Sequence, residues 1–332
     1  MNRRNFLQKT AITTTCLSLA NLSWIGEEEK IRFGIVADAH QDLMPDVEQR
    51  MELFIESSSN ANSDFILQLG DFCHPIEKNR NFMKIWRSYE KPSYHVLGNH
   101  DMDLASKAKT LDFWEMPARY YSFEQGAFHF IVLDGNLINQ DGKYSDYDTA
   151  NFYIDSGLRT WMDPEQLEWL KDDLRKTDKP TIVFSHQSLV NDLWGIKNRS
   201  IVQQIFEEEN ERFGKQKVLA CFNGHNHIDY LRKLNGIYYI DINSLSYQWL
   251  GQKYLCKTRY SQEVYDAYPL MDRMAPYQDP IFGLIEIDAE NIRIKGRMGK
   301  YIGPSPQSLG LDDEIYGFPF TPHLSSRELK RK

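Results

Sequence analysis

Residues 95–101 read His95-Val96-Leu97-Gly98-Asn99-His100-Asp101: a short apolar run, a glycine, then an amide, an imidazole and a carboxylate in succession. An apolar run that ends in residues of these types recurs four more times. Ile35-Val36-Ala37 runs into Asp38-Ala39-His40, and Leu67-Gln68-Leu69 runs into Gly70-Asp71. Val183-Phe184-Ser185 meets His186, and Ala220-Cys221-Phe222 passes through Asn223 to Gly224-His225-Asn226-His227. Each apolar run has the length and the β-branched or aromatic content of a buried strand. Ligands of α/β sheets collect beyond the carboxyl ends of the strands, so the five clusters are expected to converge on one pocket. Imidazoles, carboxylates and an amide oxygen, with no thiolate among them, favour Mn, Fe or Zn over a structural cysteine–zinc site. Gly98 and Gly224 are expected to permit sharp turns after their strands.

Working outward, helical patterns lie between the strands. Val47, Met51, Phe54 and Ile55 recur at helical spacing behind Pro45, which suits a first turn. Asp163-Pro164-Glu165-Gln166 reads as a capped start, with Leu167, Leu170 and Leu174 as the inner stripe. Val202, Ile205 and Phe206 repeat the pattern ahead of the acidic run 207–211. Strand and helix in alternation mean an α/β fold. Hairpins are expected around Glu124-Gln125-Gly126 and Asn235-Gly236, and a further strand pair at 282–287 and 292–295. Added hairpins turn a parallel arrangement into two mixed sheets. Residues 135–160 and 245–280, rich in tyrosine, are expected as long functional loops.

Subtracting 39 Lys and Arg from 47 Asp and Glu leaves −8 over 332 residues, a balance unsuited to gripping a nucleic-acid backbone or an anionic membrane. No nucleic-acid binding is expected. Residues 1–26 differ from the rest. Arg3 and Arg4 precede Phe6, Leu7 and a mildly apolar stretch from Ala11 to Ile25, too short and polar to span a bilayer. This is the pattern of a twin-arginine-like export signal, with a cut expected after Ala20, so a periplasmic location is expected. Lipid anchoring at Cys16 is disfavoured by Thr13-Thr14-Thr15 ahead of it. Cys73, Cys221 and Cys256 read as free core thiols, being scattered and odd in number. The expected division is a signal at 1–26, one catalytic domain at 27–300 and a C-terminal tail at 301–332.

The ordered blocks Asp38-x-His40, Gly70-Asp71, Gly98-Asn99-His100-Asp101, His186 and Gly224-His225-x-His227 resemble the calcineurin-like metallophosphoesterases. The resemblance spans about residues 31–245. It implies a four-layer α/β/β/α sandwich, two mixed β-sheets flanked by helices, with two divalent metal ions at one sheet edge. By the same likeness Asp38, His40 and His227 hold the first ion, Asn99, His186 and His225 the second, and Asp71 bridges them. His100 is implied as the acid that protonates the leaving oxygen, with Asp101 orienting it. Two such ions can share a water and lower its pKa from 15.7 toward ~7. An alkoxide leaves poorly, and imidazole is a suitable donor near neutrality. One departure is His74, where the family often has an acid and the purple acid phosphatase branch a metal-binding tyrosine; it is read as supporting the site or as plain loop. His95 and His129, inside strands, are expected to be structural, and His323 sits in the tail.

No Gly-x-Ser-x-Gly elbow, His-Glu-x-x-His motif or Gly-x-x-x-x-Gly-Lys-Ser/Thr loop is present. The expected function is therefore metal-dependent hydrolysis of a phosphate mono- or diester on a small phosphorylated molecule. The alternatives are pyrophosphate cleavage on the same scaffold, and a non-catalytic binding protein, which a missing ligand would signal.

Overall fold

The computed structural model describes residues 30–331 apart from Tyr316. The segment read as an export signal lies outside the described residues.

Two six-stranded mixed sheets face each other. In the first, the Ile31–Val36 strand lies parallel to Phe65–Gln68, which lies parallel to Ser93–His95; its other edge is antiparallel to Gly283–Ile287. The Asn291–Lys295 and Arg327–Lys330 strands extend that edge. In the second sheet, Thr181–Phe184 lies between Phe128–Val132 and Val218–Asn223, parallel to both. Hairpins close its two edges, Tyr121–Gln125 on one and Tyr230–Leu234 with Ile237–Asp241 on the other. Asn235 and Gly236 both take positive φ, 48° and 84°, as a two-residue hairpin turn of this twist requires.

Three apolar layers separate four structural ones. Phe33, Phe65, Phe130, Phe184 and Phe222 interlock between the sheets, with Phe33 stacked on Phe65 at 4.8 Å and edge-on to Phe130, Phe184 and Phe222. Helices Val47–Asn60 and Arg80–Arg87 bury Met51, Phe54 and Trp86 on the outer face of the first sheet. Pro164–Lys176 and Arg199–Phe213 do the same for the second through Leu170, Leu174 and Phe206. Asp163 caps its helix by accepting from the Gln166 N–H at 3.0 Å. The architecture is the α/β/β/α sandwich of two mixed sheets.

Two expectations need correction. Residues 301–332 do not form a tail, because Arg327–Lys330 pairs with Asn291–Lys295 as the edge strand of the first sheet. Asp229 also accepts from Ser325 N at 3.1 Å and from Arg327 at 2.6 Å, tying the chain end to the Gly224–His227 loop. The long tyrosine-rich segments are not structureless. The first carries a three-stranded sheet of Leu137–Gln140, Lys143–Asp146 and Arg159–Trp161, and the second carries the Tyr247–Trp249 and Met274–Pro276 pair. Cys73, Cys221 and Cys256 are buried free thiols, and no described helix is long and apolar enough to cross a membrane.

Candidate metal centre

All five clusters converge at one edge of the facing sheets. Each loop leaves its strand and is stitched to the next by backbone hydrogen bonds. Asp38 N donates to Gly70 O at 3.1 Å, His40 N to Asp71 O at 2.9 Å, and Gly224 N to His186 O at 3.0 Å. Ser244 closes the ring by donating its hydroxyl to Asp38 O at 2.9 Å.

The backbone there is strained. Asp38, His40, Asp71, His225 and His227 all sit in the left-handed region, with φ of 50°, 48°, 51°, 68° and 51°. A non-glycine residue seldom adopts that conformation, and five together at one sheet edge are held there by the surrounding fold, a pattern associated with function. Gly98 and Gly224 serve a different purpose from the one expected: neither has positive φ. A Cβ on Gly98 would collide with the backbone and carboxylate of Asp71, and one on Gly224 with the carboxylate of Asp38. These glycines permit close approach rather than a turn.

Two groups of ligand atoms result: Asp38, His40 and His227 form one, and Asp71, His186 and His225 the other, each within 4.8 Å. Asp71 Oδ2 stands between them, 3.2 Å from His186 Nε2 and 3.7 Å from His40 Nε2. The rings are oriented from behind. His186 Nδ1 meets Leu69 O at 2.7 Å and His227 Nδ1 meets Tyr247 O at 2.9 Å, which turns each Nε2 inward toward the carboxylates. His225 Nδ1 approaches His186 Nε2 at 3.2 Å, two basic nitrogens aimed at one place. Burial holds the His40 and His225 imidazoles well below their usual pKa, hence neutral, the form that ligates. Asn99 is also buried, and its Oδ1 has no hydrogen-bond partner. An orphaned neutral oxygen on a residue that lines the same cavity as Asp71 and His225 fits a divalent cation. The donor set therefore suits two ions sharing Asp71.

His100 and Asp101 part company. The His100–Met102 turn is a 3-10 helix, whose residues three apart lie on one side. His100 Nδ1 accordingly meets Asp103 Oδ2 at 2.8 Å, and Asp103 rather than Asp101 is its carboxylate partner. Burial opposes charge on His100, but Asp71 and Asp103 outweigh it and raise its pKa above the ordinary value. Asp101 turns inward and accepts three backbone N–H groups: Gly98 at 2.7 Å, Phe72 at 2.7 Å and Asp71 at 3.0 Å. Its role is to brace the two ligand loops, so the expectation that it orients His100 is corrected.

Sequence reasoning also missed Asp42 and Asp103, whereas Tyr153 belongs to the tyrosine-rich segment 135–160 expected to be functional. Asp42 accepts from His74 N at 2.9 Å and from Asn79, and pairs with His74 Nδ1 at 3.2 Å and Lys78 at 2.8 Å. Burial opposes protonation of His74, yet hydrogen bonds to Asp103 and Asp42 push its pKa up to about 9. Tyr153 Oη lies 3.2 Å from His100 Nδ1 and 3.4 Å from Asp103 Oδ2. The only signal in the sequence was acidic residues two or three positions from a site histidine. His95 is structural, buried against Trp86 and Trp114 and hydrogen-bonded near Gln68 Nε2 at 3.0 Å. His129 pairs with Asp173 at 2.7 Å on the second sheet, and His323 lies 3.9 Å from Asp229.

The centre opens into a cavity of about 650 Å³, walled by Tyr147, Phe152, Tyr153, Arg159, Trp194 and Lys197 on one side and by Tyr247, Trp249, Leu250 and Arg273 on the other. That volume suits an organic molecule much larger than phosphate alone.

Comparison with known proteins matches residues 31–229 to the calcineurin-like phosphoesterase family. Among curated proteins, purple acid phosphatase 15 of Arabidopsis thaliana is 28% identical over 153 residues, 41% of this chain and 24% of that protein. The match thus spans about a quarter of that relative's length. Among solved structures, a dimetal phosphatase from Danio rerio superposes with a TM-score of 0.56 at 15% identity, over 83% of this chain and 99% of that one. The lupin purple acid phosphatase PPD1 reaches 0.45 at 14% identity, over 81% of this chain and 51% of its own.

Proposed function

Since the chain belongs to the calcineurin-like phosphoesterase family and is a metal-dependent hydrolase of phosphoric esters, we propose that it cleaves a small phosphorylated molecule by attack of water, with His100 as general acid. The observation that carries this reading is the pair of buried ligand groups meeting at Asp71 Oδ2. Asp38, His40 and His227 would hold one divalent ion, and Asn99, His186 and His225 the other, with Asp71 available to both. Mn, Fe or Zn suits these oxygen and imidazole donors. When bound, the ions supply Lewis acidity and acidify a water near neutral pH.

The chain's own residues do the rest. Asp103 occupies His100 Nδ1 and so directs Nε2 to the cavity, where it donates a proton to the leaving oxygen. Asp101 holds the Gly70–Phe72 and Gly98 backbones in register, keeping Asp71 and Asn99 at a fixed spacing. Chelation should abolish hydrolysis of an aryl phosphate, and Mn²⁺ or a similar ion should restore it; full activity in metal-free protein defeats the proposal. We also propose export in folded form, on the strength of Arg3 and Arg4 ahead of a weakly apolar stretch. Replacing both arginines by lysine should then strand the protein in its host's cytoplasm.

A further inference from the structure

The wall of the cavity on the His100 side is built differently from the metal loops. Tyr153 touches His100 at Nδ1, and with Arg159 and Lys197 it lines the same cavity that receives the proton donor. Two cations line the same cavity. Arg159 donates to Phe152 O at 3.2 Å, which ties its guanidinium to the segment that carries the Phe152 and Tyr153 rings. Lys197 belongs to the loop before the Arg199–Phe213 helix, and its backbone N–H donates to Thr160 O at 2.8 Å, one residue along from Arg159. Both line the cavity, and neither forms an ion pair among the described residues.

That lack of a partner is informative in a chain of net charge −8. The four carboxylates lining the same cavity already have partners: Asp42 with His74 and Lys78, Asp103 with His100, Asp71 with His186, and Asp101 with three backbone N–H groups. Arg273, on the opposite wall, lies 3.7 Å from Asp272. Two cations anchored through their backbone surroundings and facing a cavity without a counter-charge favour an anionic ligand group. Tyr153 and Trp194 add exposed aromatic surface at the same wall, 60% and 46% accessible, and Trp194 is held at a strained φ of 53°. Exposed rings beside a cation suit a planar group next to an anion.

We propose that Arg159 and Lys197 form an anion subsite on the leaving-group side, so that the preferred substrates are phosphate esters whose leaving group carries a planar ring and a second anionic group, either phosphate or carboxylate. The inference rests on His100 protonating the leaving oxygen. It adds a requirement on the part of the substrate that departs.

Three esters of similar leaving-group basicity test it: phenyl phosphate, 4-(carboxymethyl)phenyl phosphate and 4-(phosphonomethyl)phenyl phosphate. The methylene insulates the phenolic oxygen from the added charge. With the metal-loaded protein, kcat/KM should be higher for a charged ester by about tenfold or more, the worth of a charge-assisted hydrogen bond. The ratio should fall to about one in the Arg159→Met, Lys197→Met double variant and persist in Arg159→Lys, Lys197→Arg. The better of the two charged esters identifies carboxylate or phosphate as the favoured anion. A second arm needs no turnover. Quenching of tryptophan fluorescence should show 4-hydroxyphenylacetate binding more tightly than 4-methylphenol, and losing that advantage in high salt and in the Met variant. Equal kcat/KM for all three esters, or a preference that survives the Met substitutions, overturns the subsite. Failure to hydrolyse any of the three monoesters refutes monoester hydrolysis instead, and the binding arm still decides the subsite.

Discussion

The strand-end loops and the cavity walls meet at the same substrate but are built by opposite means. In the loops, ligands are buried, the backbone is strained at five positions, and neighbouring chains are fastened by main-chain hydrogen bonds. In the walls, aromatic rings and cations project from two added small sheets and the loops beside them, with Tyr153 and Trp249 60% and 41% exposed. Metal-ion chemistry tolerates little displacement of its donors, so those are set by backbone buried on every side. Recognition of an organic group depends on side-chain surface, which the walls can vary without disturbing the sandwich. Substitutions in the loops should therefore remove the reaction, whereas substitutions in the walls should redirect it.

The sharpest way to break this contrast is Asp71→Ala. Loss of the shared carboxylate should lower metal content from about two equivalents to less than one and reduce turnover by at least about 10³-fold. Metal analysis showing two ions in the variant would break the bridging assignment. Asp101→Ala attacks the same loops without touching a ligand. It strands three buried N–H groups, so unfolding should become easier by about 3–5 kcal/mol, read from denaturant midpoints. Unchanged stability would mean that the ligand loops do not rely on Asp101.

A smaller effect lies where loop and wall meet. His100→Ala should slow an alkyl phosphate by about 10²–10⁴ and a nitrophenyl ester much less, with metal content near the parent's. Asp103→Asn removes only the orienting carboxylate and should cost about 10–100-fold on the alkyl ester. Equal losses on good and poor leaving groups would take both residues out of proton donation.

The same contrast explains what could be read in advance. Asp38, His40, Asp71, Asn99, His186, His225 and His227 are legible because each directly follows an apolar strand, and parallel strands bring their carboxyl ends together. Asp103 is not, because its pairing with His100 depends on a 3-10 turn, whereas adjacency in sequence points to Asp101. The edge strand Arg327–Lys330 is hidden for a similar reason: a short, charged segment acquires its identity only from the partner Asn291–Lys295. Arg159 and Lys197 lie 38 residues apart, and nothing in their local sequence indicates that the Lys197–Thr160 bond joins them.

His74 offers the finest test, since it supports the wall-side carboxylate without ligating. Burial alone would depress its pKa, but Asp103 and Asp42 raise it from 6.5 to about 9. A group whose folded pKa lies above its unfolded value stabilises the fold fully below the unfolded pKa, and that contribution fades as pH rises through the folded one. The parent should therefore lose stability between about pH 6.5 and 9. The loss is at most about 3 kcal/mol, because the same contacts that raise His74 also depress Asp42 and count only once. His74→Gln keeps much of the volume but cannot titrate, so its unfolding midpoint should fall less across that window. Comparing both proteins at pH 6 and pH 9 cancels the other titrating groups. If the two decline in parallel, His74 is not held as a cation between Asp42 and Asp103, and Asp103 is positioned by His100 and Tyr153 alone.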